Sequence, residues 1–129
     1  MTMIIACATD DGKNFISRHF GDAERYLIYE LRDGQFVLTG TIMNTTSEEE
    51  QHADPKKAKG VLGILAEKNV NVGLTKVFGP NIKRIKKHLV PVLISVDSIE
   101  EGLAKVLEAH EKVIEAINIG DKREHIDLR

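Results

Sequence analysis

One short stretch of the chain concentrates side chains that could contact a ligand. Residues Ser17–Ala23 read Ser-Arg-His-Phe-Gly-Asp-Ala, which places the guanidinium of Arg18 beside the imidazole of His19. Neutral imidazole can ligate iron, and a guanidinium can balance the charge of an anionic ligand. A structural interpretation stays open beside this one: Phe20 would close the edge of the core, Gly21 would make the bend and His19 would be solvated.

Apolar segments on both sides of this stretch predict the strands that would position it. Met3–Ala8 is a continuous apolar run, typical of a central strand buried on both faces. Arg25–Leu31 and Gln35–Met43 flank Asp33-Gly34 and predict a hairpin. Cys7 lies in the first strand, where we expect a small buried hydrophobe; a thiolate ligand would require an exposure that the sequence does not reveal.

A second set of candidate contacts lies near the start of a predicted helix. After the polar loop Asn44–Gln51, Asp54 is a suitable helix N-cap. His52 precedes this start, and Lys56 and Lys57 lie in the first turn, where the helix dipole favours negative charge. Either these lysines are solvated, or the helix start and His52 face an anion.

The second half of the chain alternates strands and helices. The predicted elements are a strand, a basic helix, a strand and a long helix with an Asp97–Glu100 capping box: Val70–Leu74, Pro80–Leu89, Val90–Ser95 and Asp97–Gly120. Asp121–Arg129 is a charged tail that we expect to fray. No acidic residue occurs from Lys76 to Val96, so the basic helix is either a solvated surface or one that receives an anionic ligand or partner.

The element order β-β-β-α-β-α-β-α predicts an α/β fold of the ribonuclease H-like kind. The first three strands would pair as an antiparallel meander, and the later strands would join in parallel through right-handed crossovers. The result is a five-stranded mixed sheet flanked by helices, with the first strand central. We expect a single domain over residues 1–120, followed by the tail 121–129.

Composition and missing motifs exclude several function classes. A formal net charge of −2 and an aromatic content of 5% argue against a nucleic-acid binder, and no apolar run is long enough to span a membrane. The single cysteine is compatible with a reducing cytoplasm. The predicted strands lack the converging carboxylates of two-metal catalysis, and no nucleotide-binding fingerprint or zinc signature is present. We therefore expect a binding protein and not an enzyme.

The Ser17–Ala23 stretch resembles the Ser-x-His-Phe-Gly-x-Ala signature of the dinitrogenase iron-molybdenum cofactor biosynthesis domain family. This family includes NifX-like and NafY-like carriers and the C-terminal part of many NifB proteins. The similarity covers about residues 1 to 110 and includes Tyr26–Tyr29, His52 and the Gly79-Pro80 turn. The chain departs from many members at Leu74–Gly79, where they carry a glycine-richer turn.

The resemblance implies a ribonuclease H-like fold used for binding, and a non-catalytic carrier of an iron–sulfur or iron–molybdenum cofactor precursor. His19 matches the motif histidine and His52 a histidine ahead of the first helix, so both are candidate metal ligands. The other candidate cofactor contacts are Arg18, Phe20, Gly21, Lys56 and Lys57. The implied partners are proteins that donate and accept a metallocluster, in nitrogen fixation for the nitrogenase members. The alternative is a metal-free interaction or regulatory module on the same fold, contacting a partner through the basic helix or the face around His110.

Overall fold

A six-stranded mixed sheet forms the centre of the molecule. This computed structural model describes residues 2–45 and 55–129, with side chains in the first helix from residue 59 onward. The strands are β1 (Ile4–Thr9), β2 (Arg25–Arg32), β3 (Gln35–Met43), β4 (Val72–Thr75), β5 (Val90–Leu93) and β6 (Ile126–Asp127). The helices are α1 (Pro55–Ala66), α2 (Ile82–Ile85), α3 (Ile99–Glu108) and α4 (His110–Ile119). None of these described helices is both long enough and apolar enough to cross a bilayer.

The strand order is β3-β2-β1-β4-β5-β6, which places β1 inside the sheet as predicted. β1 pairs antiparallel with β2 and parallel with β4. β2 pairs antiparallel with β3, and β4 pairs parallel with β5. The mixed α/β class, the antiparallel meander of the first three strands and the parallel addition of the later ones are therefore confirmed.

Alternate residues of β1 divide the apolar interior into two cores, one on each face of the sheet. Ile5 and Cys7 belong to the core that α3 and α4 cover, and Ala6 and Ala8 to the core that α1 and α2 cover. This alternation follows from the two-residue repeat of a strand, and burial on both faces explains why β1 is apolar throughout. Cys7 is fully buried, and burial raises the pKa of its thiol. A buried neutral thiol here packs as a small hydrophobe.

The predicted hairpin between β2 and β3 is confirmed. Asp33 and Gly34 have φ angles of 49° and 78°, so both central residues of the turn adopt the left-handed conformation. Such turns match the twist of the flanking strands, and glycine accepts positive φ without steric cost. The Asp-Gly pair therefore determines both the position and the type of this turn.

The C-terminal segment corrects two predictions. The tail 121–129, expected to fray, contributes β6, which pairs in parallel with β5, so the sheet has six strands and not five. Ile126 is only 6% exposed. The guanidinium of Arg123 donates hydrogen bonds to the carbonyl oxygens of Ala116 at 3.0 Å and Lys86 at 3.1 Å. The burial of Ile126 and the hydrogen bonds of Arg123 to the ends of α4 and α2 therefore fix this segment, although it is highly charged.

The long last helix that the sequence predicts is two helices. α3 and α4 are separated at Ala109, which has φ −99° and ψ 19°. The N-cap of α3 is Ser98 and not Asp97: the Ser98 hydroxyl oxygen accepts the amide of Glu101 at 3.1 Å. Asp97 forms an ion pair with Lys76 instead. The N-cap therefore lies one residue later than predicted, and the Ser98 hydroxyl also donates to Glu101 Oε1 at 3.1 Å.

The basic helix is shorter than predicted. Its helical part is a single turn, Ile82–Ile85, within the expected range Pro80–Leu89. The amides of His88 and Leu89 both donate to the carbonyl oxygen of Ile85, at 2.9 and 3.1 Å. This turn directs the chain into β5, which begins at the next residue.

Candidate functional site

The stretch Ser17–Ala23, called the histidine loop below, is anchored in an aromatic core. A 3-10 turn, Phe20–Asp22, bends it. The Phe20 side chain is fully buried, and its ring centroid lies 5.1 Å from those of Tyr26 and Phe78. The Tyr26 hydroxyl donates to the carbonyl oxygen of Phe20 at 2.8 Å. Phe20 thus holds the loop from inside the core, in keeping with the structural interpretation of this residue.

Hydrogen bonds fix the histidine loop to the segments that follow β3 and β4. Asn44 Nδ2 donates to the carbonyl oxygens of Gly21 and Ala23, at 2.8 Å each. On the other side, the amide of Phe20 donates to the carbonyl oxygen of Val77 at 2.8 Å. The loop backbone is therefore held from both sides. A loop of this length could connect β1 and β2 without these hydrogen bonds.

The imidazole of His19 lies against the backbone of Gly79. A β-carbon built on Gly79 would lie 2.6 Å from Cε1, 2.7 Å from Nδ1 and 2.8 Å from Nε2 of that ring. Gly79 also has a φ of +70°, which side-chain-bearing residues rarely adopt. His19 is half-buried in this position. A side chain at residue 79 would overlap the imidazole, so only glycine allows the ring of His19 to pack here. This packing of the His19 ring against the Gly79 backbone is called the seat of His19 below.

Arg18 braces the entrance to the histidine loop. Its Nη2 atom lies 2.9 Å from the Asp10 carboxylate and 3.1 Å from the carbonyl oxygen of Asp22. Asp10 in turn accepts the amide of Glu24 at 3.0 Å. The Arg18 side chain remains 51% exposed. It has a structural role within the loop, and its contact with an anionic ligand stays a prediction.

The carboxyl ends of β1, β3 and β4 meet at the sheet edge that carries the histidine loop. In open α/β sheets this is the edge where ligands bind. The segment after β3 leaves from the same edge at Asn44, and α1 packs against the 3-10 turn. Thr75, the last residue of β4, is fully buried there, and its hydroxyl has no hydrogen-bond partner among the described residues.

The structure describes no side chain for three of the predicted site residues. Residues 46–54 lie outside the described residues and include His52, most of the predicted polar loop and the predicted helix N-cap. Lys56 and Lys57 belong to the first turn of α1, but their side chains are not among those described. The convergence of His52 with His19 on one ligand therefore stays a prediction, as do the contacts of the two lysines.

The site offers one well-positioned imidazole and a nearby cation. Within residues 2–45 and 55–129, no group of three His, Cys, Asp or Glu side chains is arranged to hold a metal ion. His19 is seated on Gly79, and the Arg18 guanidinium belongs to the same loop. This arrangement can present a single nitrogen ligand to a group that docks at the sheet edge.

Comparison with known proteins identifies the family. A family model described as dinitrogenase iron-molybdenum cofactor matches residues 1–109. This chain belongs to that family. The matched range contains the histidine loop, Asn44 and Gly79, so the resemblance inferred from the Ser17–Ala23 motif is confirmed. A comparison with curated proteins found no match.

The solved structures that share the fold include two of proposed dinitrogenases. The crystal structure of a proposed dinitrogenase from Methanocaldococcus jannaschii has a TM-score of 0.62 and 23% identity, and the match covers 84% of this chain and 91% of that one. An NMR structure of a proposed dinitrogenase from Methanococcus jannaschii also has a TM-score of 0.62, with 22% identity over 85% of this chain and 91% of that one. At these identities the two structures establish the fold alone.

Two residues that hold the site were not assigned to it from the sequence. Asn44 falls in the segment predicted to be a solvated loop, yet it fixes main-chain carbonyls 23 and 21 residues away. No sequence pattern marks such a contact. For Gly79 the available signal is the Gly79-Pro80 turn, which is part of the family resemblance.

Proposed function

We propose that this protein binds and carries an iron–sulfur or iron–molybdenum cofactor precursor without transforming it. The observation that supports this most is the seat of His19 on Gly79, in a loop fixed from both sides, in a chain of the iron-molybdenum cofactor family. A side chain that is already held in place loses little conformational freedom on binding. His19 is therefore suited to capture a preassembled cluster.

In this proposal the cargo lies at the sheet edge formed by the carboxyl ends of β1, β3 and β4. His19 is its direct ligand, and His52 is the second ligand. Basic side chains offset the negative charge of the cluster, while the buried ring and the glycine of the histidine loop act through the shape of the loop. These supporting residues are Arg18, Lys56, Lys57, Phe20 and Gly21.

A carrier also requires a protein that donates the cluster and a protein that accepts it. Few protein ligands suit a cargo that is handed on, because the remaining coordination positions stay open to the ligands of the acceptor. Donor and acceptor proteins of a metallocluster pathway are therefore part of the proposal. So is a reducing cytoplasm, where such clusters and the single cysteine are compatible.

Anaerobic reconstitution tests the proposal directly. The purified chain is incubated with iron and sulfide, and separately with an isolated cofactor precursor, then desalted and analysed for iron and for charge-transfer absorption. We expect the wild type to retain iron and His19→Ala to lose it. His125→Ala, which removes an exposed histidine outside the site, is the matched control and should retain iron like the wild type. Iron-free wild-type protein under both conditions would overturn the proposal.

The alternative function is a metal-free interaction or regulatory module. It is favoured by the basic side chains of α2 and the turn after it, since Lys83, Arg84 and Lys87 are all exposed. If the wild type binds no cluster, a partner protein that binds this basic surface would support the interaction module instead. Replacing these three basic residues by neutral ones should then abolish the binding of that partner.

A further inference from the structure

A groove between α1 and α2 is a candidate site that is separate from the histidine loop. It has a volume of about 470 Å³, and none of its lining residues belongs to the loop. On the α1 side its floor is formed by Leu62, Gly63 and Ala66. A β-carbon built on Gly63 would meet no atom within 4 Å. The glycine therefore leaves open space where most residues would place a side chain.

The polar side chains that the structure describes around this groove are all basic. Lys59 extends from α1, while Arg84, Lys87 and His88 come from α2 and the turn that follows it. Arg84 Nη1 donates to Asn81 Oδ1 at 3.0 Å, which holds its guanidinium in place. Among the groove residues that the structure describes, none is acidic. Cations around an apolar floor complement a ligand that has one anionic end and one apolar end.

We propose that the groove binds a small organic phosphate: an anionic group held by the basic rim, with an apolar body on the floor of Leu62, Gly63 and Ala66. The volume of about 470 Å³ lies in the range of pockets for small molecules, roughly 300–1,000 Å³. Lysine and arginine both bind phosphate oxygens, and arginine does so with two parallel hydrogen bonds. The site does not depend on cluster binding, so either proposal can fail alone.

The first test uses 1-naphthyl phosphate as the probe, with inorganic phosphate and 1-naphthol as its two halves. Each is titrated into ¹⁵N-labelled full-length protein and followed by two-dimensional NMR. We expect 1-naphthyl phosphate to shift the amide signals of residues 59–66 and 81–88 and to bind about tenfold or more tightly than either half. Shifts elsewhere in the molecule, or affinity no higher than that of the tighter half, would overturn the proposal.

Two variants separate the role of charge from the role of space. Lys59→Gln/Lys87→Gln should weaken 1-naphthyl phosphate binding about tenfold or more, because hydrogen bonds to charged groups contribute strongly, while leaving 1-naphthol binding unchanged. Gly63→Phe fills the open space over the floor and should abolish binding of both. Lys105→Gln/Lys112→Gln, which removes two exposed lysines from α3 and α4, is the charge-matched control and should bind like the wild type. Wild-type affinity in both groove variants would contradict the assignment.

A protein partner is the competing occupant, and the same assay tests it. An acidic peptide of alternating Glu and Leu residues is titrated under identical conditions. Binding of this peptide more tightly than 1-naphthyl phosphate, at the same residues, would replace the small-molecule assignment with a peptide-binding one. Weaker binding of the peptide would support the proposal as stated.

Discussion

His19 and Gly79 are in direct contact at the carboxyl edge of the sheet, and the contact exists because residue 79 has no side chain. A β-carbon there would lie 2.6 Å from Cε1 of the imidazole, well inside any normal contact distance. The ring is therefore positioned by the segment that follows β4 as well as by its own loop. This makes residue 79 a means of moving the imidazole without changing residue 19.

We expect Gly79→Ala to displace the His19 ring and to lower iron retention toward that of His19→Ala. The backbone at residue 79 has φ +70°, so alanine should also destabilise the fold, by about 1–2 kcal/mol. Iron per chain after anaerobic reconstitution and the urea-unfolding free energy are the two measurements. Gly40→Ala is the control, since a β-carbon there meets open space and φ is not positive. Wild-type iron retention in Gly79→Ala would show that the seat is not needed.

Gly63→Ala should stabilise the protein by about 1 kcal/mol, because alanine is a much better helix former than glycine and the site has open space. The matched control is Gly34→Ala in the hairpin turn. Open space surrounds Gly34 as well, but its φ of +78° should make alanine destabilising there. Urea unfolding of both variants gives their free energies of unfolding relative to the wild type. A change of the two free energies in the same direction would contradict this account.

The parts of the fold that local patterns determine were predictable. The continuous apolar run of β1 and the Asp33-Gly34 turn each carry their own signal, because strand burial and turn conformation depend on neighbouring residues. The N-cap at Ser98 has a local signal, because Ser98 and Glu101 have the same spacing as the predicted pair Asp97 and Glu100. The ion pair of Asp97 with Lys76 is a tertiary contact, which this local spacing does not encode. The helix break at Ala109 has no helix-breaking residue to mark it. β6 has no short-range signal either, because its two residues form a strand only through pairing with β5.

The candidate site, like the fold, has features that local sequence patterns predict and features that they do not. The motif located His19, since the residue types of the histidine loop are unusual together. The burial of Phe20 agrees with the structural interpretation of the motif. The motif did not reveal that Asn44 holds the loop, because that contact depends on which segments meet in space. The sheet edge had to be known before these residues could be assigned.

Arg123 should be the most sensitive position of the C-terminal segment. It is 7% exposed, and its guanidinium donates to carbonyl oxygens of Ala116, Ile117 and Lys86. Arg123→Ala leaves these carbonyls without their partner and should cost about 2–4 kcal/mol.

Arg129→Ala is the control for this change. Its partner is the exposed Asp127, and such surface pairs contribute about 0–1 kcal/mol. Chemical unfolding of both variants gives the comparison. Equal losses in the two would mean that Arg123 does not join the ends of α2 and α4 as the structure indicates.

Asp11 organises the turn that leads from β1 into the histidine loop. Its Oδ1 atom accepts the amides of Asn14 and Lys13, both at 2.8 Å, and Asn14 Nδ2 donates to Oδ2 at 3.1 Å. These hydrogen bonds, those from Asn14 first, favour the ionised form and hold the pKa of Asp11 well below its usual range. The folded chain therefore binds this proton less readily than the unfolded chain does.

The resulting stability is fully present above the unfolded pKa of about 3.9 and is lost as the pH falls toward the lower folded pKa. Wild type should thus be more stable than Asp11→Asn at pH 7, and the difference in unfolding free energy should shrink below about pH 4. Urea unfolding between pH 7 and pH 2 measures this difference. Glu108→Gln, on the exposed side of α3, removes the same formal charge without removing those bonds and serves as the control. A wild-type advantage that stays constant down to pH 2 would mean that the ionised carboxylate is not what stabilises this turn.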